Sequence, residues 1–300
     1  MFKSPSSPSF ASLLAVLFSL LLLSGCASEP ETATEQTPEE NAEAMAKEHA
    51  GDAPEASPAT VPEPAVPVVT ERVVYGEVGG AEVTGFVARP ESGGEGLPGL
   101  IVIQEWWGLN ENIEAMARRL AGEGYVALAV DMYGGQVATT PDDARGLMTA
   151  AFENSDALDE NLRAAYTWLE GQGAPRIGSV GWCFGGGLSL RTALLHPESL
   201  DAAVIYYGRV VTDPEELAPL KVPVLGLFGA EDGGIPVDGV RAFETALTDL
   251  GQEPIIRVYE NADHAFANPS GTNYSAEVAD QAWGETTSFF ATHLKQEAAE

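Results

Sequence analysis

Cysteine and positive charge are both scarce in this chain. The 300 residues include two cysteines, Cys26 and Cys183, and 15 lysines and arginines stand against 45 aspartates and glutamates, for a formal net charge of −30. Nucleic-acid binding needs a basic surface that neutralises phosphates, so this composition argues against a nucleic-acid partner. It argues equally against electrostatic attraction to anionic lipid.

Metal-ligand and nucleotide motifs are also missing. No cluster of histidine, cysteine and carboxylate residues has the sequence spacing of metal ligands. The glycines at 185–187 lack the following Lys-Ser/Thr of a phosphate-binding loop. The sequence therefore predicts neither a metal nor another cofactor. The four histidines are His49, His196, His264 and His293.

The chain has one long uncharged apolar run, from Phe10 to Leu23, which is too short for a stable membrane span. It ends in the residues LSGC at 23–26, which resemble the lipobox of bacterial lipoproteins. The resemblance implies a signal peptide over 1–25, lipidation of Cys26 and cleavage before it. Ala27 then favours an outer-membrane location, facing the periplasm. The alternative is an ordinary secretory peptide cut nearby.

Aromatic residues are absent from 27–68, where Glu, Pro, Ala and Thr dominate. Such a stretch buries too little apolar surface to offset its chain entropy. We therefore expect a disordered, acidic, proline-rich linker over 26–68 that holds a folded domain, residues 69–300, away from the membrane. The piece from Glu39 to His49 could form a transient helix, and His49 is expected to be a solvated linker residue.

Strand and helix patterns alternate from residue 100 onwards, after an antiparallel pair of strands. Continuous apolar strands joined by helical crossovers predict an α/β protein with a mostly parallel central sheet covered by helices on both faces. The predicted strands span 72–75, 82–87, 100–103, 125–130, 176–180, 202–207, 222–228 and 255–259. The predicted helices span 110–121, 141–151, 156–169, 188–195, 237–250 and 276–294.

Cys183 lies between the strand at 176–180 and the helix at 188–195, with glycine two positions before it and two after it. This is the spacing of a nucleophile elbow, with cysteine in place of serine. A helix N-terminus behind the sulfur favours a thiolate and supplies a free N–H to a developing oxyanion. The alternative is a buried, inert cysteine beside a glycine-rich turn.

Three further polar residues follow predicted parallel strands: Glu105, Asp232 and His264. Because the carboxyl ends of such strands meet at one edge of the sheet, we expect these side chains near Cys183. The chain order nucleophile, acid, base is that of the α/β-hydrolase fold. Glu231 and Asp263 compete with Asp232, which is favoured by the tight turn that follows it.

Several separate motifs resemble the dienelactone hydrolase family over about residues 70–295. The resemblance implies an α/β-hydrolase fold and a catalytic triad of Cys183, Asp232 and His264. It also implies that Glu105 is a buried carboxylate that helps form the thiolate, with the backbone N–H groups of Trp106 and Phe184 as the oxyanion hole. The motifs are QEWWGLN at 104–110, GWCFGG at 181–186, YYG at 206–208 and DHAF at 263–266.

One departure from the family concerns its two carboxylate-binding arginines. The position shortly after the catalytic histidine is Asn268, whereas Arg145 matches the other arginine and Arg209 is a candidate substitute. Both arginines could equally be solvated surface residues. Substrate contacts are also expected from Tyr207 and Trp107. Trp106, Trp107, Trp182 and Phe184 would line an apolar pocket or belong to the core.

The sequence thus predicts a monomeric envelope lipoprotein that hydrolyses a small ester or lactone through an acyl-enzyme at Cys183. The expected partners are a small-molecule substrate and, through lipidated Cys26, the membrane. Two alternatives stay open. One is a non-catalytic binding lipoprotein on a hydrolase scaffold, and the other is a different thiol enzyme, such as an acyltransferase or a peptidase.

Overall fold

A computed structural model describes residues 43, 45–52, 54, 62–93 and 96–295. The predicted signal peptide, Cys26 and most of the predicted linker lie outside these residues. Within them, no helix is long and apolar enough to cross a membrane.

Eight strands form one sheet in the order β1-β2-β4-β3-β5-β6-β7-β8. Strands β1 and β2 form an antiparallel pair, β2 is antiparallel to β4, and every remaining neighbour pair is parallel. The strands are β1 Val68–Val78, β2 Ala81–Pro90, β3 Gly99–Ile103, β4 Val126–Val130, β5 Ile177–Trp182, β6 Ala202–Tyr206, β7 Val224–Gly229 and β8 Ile255–Tyr259.

Helices pack around the sheet and bury its central strands. Every residue of β3, β5, β6 and β7 is buried, as continuous apolar strands predict. The predicted α/β class with a mostly parallel sheet is confirmed. The helices are α1 Glu111–Gly122, α2 Pro141–Glu153, α3 Ser155–Gly171, α4 Phe184–Leu195, α5 Pro214–Leu217, α6 Val237–Asp249 and α7 Ala276–Leu294.

Capping residues explain where several helices begin. The Asn110 side chain accepts a hydrogen bond from the backbone N–H of Ile113 at the start of α1. Thr140 caps α2 in the same way, with Pro141 at the first helical position. The one unpredicted helix, α5, has four residues, which is too short for a periodic apolar pattern.

The strand order determines where the predicted site lies. Strand β5 lies between β3 and β6, with β7 and β8 beyond β6, and all five run parallel. Their carboxyl ends therefore share one edge of the sheet. The residues that follow β3, β5, β7 and β8 include Glu105, Cys183, Asp232 and His264.

A piece of the predicted linker departs from expectation. Residues 45–48 are helical, and the side chains of Met45 and His49 are buried against the domain, with His49 fully inaccessible. The expectation of a solvated His49 in a disordered stretch is therefore wrong. Met45 and His49 are four residues apart and share one helix face, so a single turn of helix buries both.

Candidate active site

Cys183 joins β5 to α4 in a strained conformation. Its φ of 55° and ψ of −116° lie in a region that non-glycine residues rarely adopt. Phe184 begins the helix, so its backbone N–H is among the first-turn donors without an intrahelical acceptor. The geometry directs a buried thiol and free N–H groups towards the same edge of the sheet, as a nucleophile elbow does.

Close approach of the backbone explains the glycines around the cysteine. A Cβ atom on Gly181 would lie 2.0 Å from the carbonyl oxygen of Gly185. A Cβ on Gly185 would lie 2.4 Å from the carbonyl oxygens of Ile103 and Gln104. Both distances are far inside van der Waals contact, so strand β5, helix α4 and the loop after β3 can meet here only without these side chains.

His264 and Asp232 form a buried pair beside the elbow. The distance from His264 Nδ1 to Asp232 Oδ2 is 2.8 Å, and both side chains are fully buried. Asp232 Oδ1 accepts hydrogen bonds from the backbone N–H groups of Gly234 (2.9 Å) and Ile235 (2.7 Å), so the turn after β7 fixes the carboxylate. A ring nitrogen of His264 lies within 4.8 Å of the Cys183 sulfur, and His264 Nε2 is buried without a hydrogen-bond partner.

The competing acids lie elsewhere. Asp263 Oδ1 accepts a hydrogen bond from the backbone N–H of His264, at 2.7 Å, and the ring of His264 pairs with Asp232. Glu231 is exposed. Asp232 is thus the carboxylate that orients the imidazole, for the reason that the sequence offered: the tight turn beyond β7.

Glu105 is buried in a polar contact of its own. Its Oε2 accepts a hydrogen bond from Asn268 Nδ2 at 2.8 Å, and its Oε1 accepts from the Tyr207 hydroxyl at 3.4 Å. Burial, followed by the nearby charge of Cys183, raises the pKa of Glu105 from 4.5 to about 8. Asn268, which stands where the family has an arginine, therefore anchors this carboxyl group.

His49 is the site residue that sequence reasoning missed. Its Nε2 lies 3.7 Å from the Cys183 sulfur, and its Nδ1 lies 2.7 Å from Asp52 Oδ2. Its ring stacks on Trp106 with 4.6 Å between centroids and meets His264 edge-on at 5.2 Å. The available signal was that residues 39–53 contain no proline and that Met45 and His49 are four residues apart, so that a helix would place both on one face.

The charges around the thiol favour a thiolate. Burial raises the pKa of Cys183, but the His264 imidazolium and the hydrogen bond with His49 outweigh it and lower the pKa from 9.0 to about 6. Burial lowers the pKa of both histidines, and their partners outweigh it. Asp52 and Cys183 raise the pKa of His49 to about 9, and Cys183 and Asp232 raise that of His264.

A cavity of about 360 Å³ reaches the thiol. Of the predicted contact residues, Phe184, Tyr207 and Arg209 line it together with Cys183. The remaining wall is mostly apolar and includes Met45, Met148, Phe152, Leu188, Leu194 and Ile235.

The other predicted pocket residues lie away from this cavity. The rings of Trp106 and Trp107 are fully buried and pack edge-on against each other at 5.2 Å, as core residues do. Trp182 packs against Tyr206. Arg145 lies on α2, where its guanidinium pairs with Asp142 at 3.1 Å, and it does not line the cavity.

Three side chains within the described residues could hold a metal ion. The Cys183 sulfur and one ring nitrogen each of His49 and His264 all lie within 4.8 Å of one another. The same contacts are those of a thiol between two imidazoles, each oriented by a carboxylate, which is an arrangement for proton transfer. We assign the cluster to that chemistry.

The mostly parallel sheet, the cysteine elbow and the histidine–aspartate pair at neighbouring strand ends define an α/β-hydrolase. The profile of the family described as "Dienelactone hydrolase family" matches residues 83–294. The chain belongs to this family and is a carboxylic ester hydrolase, as the sequence motifs predicted.

Relatives of known name agree with this assignment. The chain is 35% identical to protein usf of Aquifex pyrophilus over 74% of its own length and 99% of that protein. It is 32% identical to a protein of Aquifex aeolicus named as a carboxymethylenebutenolidase, over 75% and 99% of the two chains. A crystal structure of a dienelactone hydrolase from Klebsiella pneumoniae superposes with a TM-score of 0.68 at 30% identity, covering 75% of this chain and 99% of that one.

Proposed function

We propose that the protein hydrolyses small carboxylic esters or lactones through a thioester formed on Cys183. His264 transfers the protons, and Asp232 holds its ring. The observation that carries the proposal is the 2.8 Å pair of His264 and Asp232 beside the sulfur at the elbow. The relative in Aquifex aeolicus named as a carboxymethylenebutenolidase supports a lactone or ester as the substrate class.

Acylation starts from the thiolate of Cys183. The sulfur attacks the carbonyl carbon of the ester, and the electron pair of the C=O bond moves to oxygen. The backbone N–H groups of Phe184 and Trp106 stabilise this oxyanion. The oxyanion then re-forms the carbonyl, the bond to the alkoxy oxygen breaks, and the leaving oxygen takes a proton from Nε2 of His264.

Deacylation uses His264 in the opposite sense. The neutral imidazole takes a proton from water as the water oxygen attacks the thioester carbon. The C–S bond then breaks, which releases the carboxylic acid and restores the thiolate beside an imidazolium. Asp232 stabilises that imidazolium and keeps the ring oriented in both steps.

The wall of the cavity supports a small and mainly apolar acyl or alkoxy group. About 360 Å³ lies beside Cys183, bounded by methionine, leucine and phenylalanine side chains. Such a volume is at the lower end of small-molecule sites. In a lactone, the leaving oxygen stays attached to the acyl chain, so both parts of the substrate must fit there.

Arg209 is the cation we assign to a substrate carboxylate, because it lines the cavity together with Tyr207. We expect Arg209→Ala to raise KM for a carboxylate-bearing lactone about 10-fold and to leave KM for its methyl ester unchanged. Arg241→Ala is a matched control, since Arg241 pairs with Glu244 on the exposed face of α6. An equal effect on both substrates would contradict the assignment.

The experiment that tests the proposed reaction compares the full chain with Cys183→Ala. Hydrolysis of p-nitrophenyl acetate and of cis-dienelactone is measured, with Arg241→Ala as the control. We expect hydrolysis by Cys183→Ala to fall to the rate of buffer alone. Activity that survives this substitution would overturn the nucleophile assignment. Transfer of the acyl group to an added amine, in preference to water, would favour an acyltransferase instead.

We also propose that the protein is a lipid-anchored component of the bacterial cell envelope, facing the periplasm from the outer membrane. The support is the LSGC sequence at 23–26 after an uncharged apolar run, together with Ala27. A multiply acylated Cys26 would anchor the chain firmly, whereas a single acyl chain would bind only weakly.

A further inference from the structure

The segment at 45–52 contributes a histidine to a site built otherwise by the family domain. The match to the family begins at residue 83, so this segment lies upstream of it. We propose that His49 is a catalytic residue: it donates a hydrogen bond from Nε2 to the Cys183 sulfur and, with His264, holds the resting thiolate between two imidazoles. This inference builds on the proposed function of Cys183.

The His49 pair repeats the geometry of the His264 pair. In each, a buried aspartate binds Nδ1, at 2.7 Å for Asp52 and 2.8 Å for Asp232. Nε2 of His49 lies 3.7 Å from the sulfur, and a ring nitrogen of His264 lies within 4.8 Å of it. A carboxylate on Nδ1 places the proton there and stabilises the imidazolium form, in which Nε2 also carries a proton. The sulfur therefore has two candidate N–H donors.

Hydrogen bonds from the family domain to Asp52 and Pro54 hold the segment in place. Asp52 Oδ1 accepts hydrogen bonds from the backbone N–H of Thr272 at 2.7 Å and from its hydroxyl at 2.9 Å. Asn110 Nδ2 donates to the carbonyl oxygen of Pro54 at 3.2 Å. Both ring nitrogens of His49 have partners, although the ring is fully buried. A buried imidazole without partners would be costly.

Glu105 makes its hydrogen bonds with groups other than the Cys183 thiol. The family resemblance gives it the role of helping to form the thiolate, but its oxygens accept hydrogen bonds from Asn268 and Tyr207. Its raised pKa of about 8 keeps it uncharged at neutral pH. His49 makes the direct contact with the sulfur that the thiolate requires.

The charged and titratable groups facing the sulfur come from every surrounding element. His49 and Asp52 come from the upstream segment, Glu105 follows β3, Asp232 follows β7 and His264 follows β8. Tyr133 and Tyr207 complete the surroundings, and burial raises the pKa of both hydroxyls well above 10, so they stay neutral. Arg191, Arg209 and Glu216 line the adjoining cavity, and the two imidazoles are the cations that lower the pKa of the thiol most.

The segment forms part of the wall of the cavity beside the sulfur. Met45 and Cys183 line the same cavity of about 360 Å³, and Met45 Sδ lies 3.7 Å from the cysteine sulfur. The cavity therefore borders Cys183 while His49 keeps its contact with the sulfur. If the segment were only a cover over this cysteine, which is 2% exposed, removal of the His49 side chain would speed alkylation, whereas a catalytic His49 predicts that it slows.

The test measures thiol reactivity without any ester. The rate of alkylation of Cys183 by iodoacetamide is followed at pH 6.5 in the full chain and in His49→Ala, His49→Gln and Asp52→Asn. The matched control is Lys47→Ala, an exposed residue of the same segment. We expect His49→Ala to slow alkylation about 3-fold, because a one-unit rise in the pKa of the thiol from about 6 lowers its thiolate fraction at pH 6.5 from about three quarters to about one quarter. Lys47→Ala is expected to alkylate at the wild-type rate.

Two further variants separate a chemical role from a structural one. Glutamine keeps an N–H donor without a positive charge, so His49→Gln should fall between wild type and His49→Ala. Asp52→Asn removes the charge that stabilises the imidazolium and should slow alkylation less than His49→Ala. Should thermal unfolding show that His49→Ala is not folded, His49→Gln decides.

Alkylation of His49→Ala at the wild-type rate or faster would overturn the proposal and leave the segment as a cover over the site. Because alkylation needs no substrate, this result is distinct from failure of the ester hydrolase proposal. That failure would appear as unchanged ester hydrolysis in Cys183→Ala.

Discussion

The sulfur of Cys183 lies between two histidines, each paired with an aspartate. One pair comes from the loops after β7 and β8 and the other from residues upstream of the family domain. A thiol in this position loses its proton about a thousandfold more readily than a thiol of ordinary pKa, since its pKa falls from 9.0 to about 6. We therefore expect the pKa of Cys183 to set the lower end of the pH range in which the enzyme is active.

We expect kcat/KM for p-nitrophenyl acetate to rise with pH through a midpoint near 6, where Cys183 becomes a thiolate. Below that pH the protonated sulfur is a weak nucleophile, so the rate falls. The profile is measured between pH 4.5 and pH 9 in buffers of constant ionic strength, as a range chosen to bracket that midpoint. A midpoint near that of a free thiol, about 8.5, would be inconsistent with the two-histidine environment.

A second prediction concerns Asp232, whose carboxylate binds the imidazole ring of His264. We expect Asp232→Asn to lower kcat about 10²–10⁴-fold, because the ring loses the carboxylate that fixes its tautomer. Asp263→Asn serves as the comparison: Asp263 accepts from the backbone N–H of His264, and asparagine keeps an oxygen acceptor there. Steady-state kinetics of both variants decide the point. A larger loss in Asp263→Asn than in Asp232→Asn would reverse the assignment of the acid.

Some of the site could be predicted residue by residue, and some could not. Cys183, Asp232 and His264 were predictable because each lies in the loop or turn shortly after a strand, and strand ends converge in a parallel sheet. The placement of Glu105 was predictable for the same reason. His49 was not, because the helix signal from Glu39 to His49 does not say what the helix packs against, and the contact of His49 with Cys183 spans 134 residues.

At the scale of elements, the elbow depends on the contact between α4 and the carboxyl end of β3. Gly185 lets the first turn of the helix approach the backbone of Ile103 and Gln104. Strand β5 and helix α4 thereby keep Cys183 in its strained conformation. The strain is maintained by surrounding packing, as strained backbone at functional sites usually is.

Gly185→Ala is expected to destabilise the protein by about 3 kcal/mol, because its Cβ would lie 2.4 Å from two carbonyl oxygens. The matched control is Gly146→Ala in α2, where the added Cβ meets nothing within 4 Å. That variant should gain up to about 1 kcal/mol from the better helix propensity of alanine. Urea unfolding measures both changes, and a Gly185→Ala variant as stable as Gly146→Ala would show that the elbow tolerates a side chain.

The elements themselves followed closely from the sequence, since continuous apolar strands and capped amphipathic helices carry strong local signals. The predicted strand at 222–228 is observed as β7, Val224–Gly229, and the last helix matches its predicted bounds. Helix α5 was missed because four residues carry no periodicity. The helical turn at 45–48 lies within the piece predicted as a transient helix, but its packing on the site was missed because no local pattern records that packing.

At the scale of the whole molecule, the proposed lipidation of Cys26 would place the chain at the cell envelope. The net charge of −30 favours solubility. The segment at 45–52 packs on the active site. If His49 has the proposed catalytic role, part of the sequence between Cys26 and the family domain contributes to catalysis.

Cys26→Ala is expected to release the chain from the envelope membranes, because it removes the residue that carries the lipid. Incorporation of labelled palmitate and fractionation of cells expressing wild type and Cys26→Ala measure this. Ser24→Ala is the control, since alanine keeps a small residue before the cysteine. Palmitate incorporated into Cys26→Ala would rule out lipidation at this cysteine.

Under the proposed reaction, Cys183 carries the acyl group between the two chemical steps. Rapid mixing of the full chain with p-nitrophenyl acetate, acid quenching and mass spectrometry of the peptide containing Cys183 detect that group. We expect one acetyl group on Cys183 within the first turnover, formed together with a burst of nitrophenol. An unmodified Cys183 peptide during steady hydrolysis, or an acetyl group on another residue that turns over at the catalytic rate, would show that Cys183 is not the nucleophile.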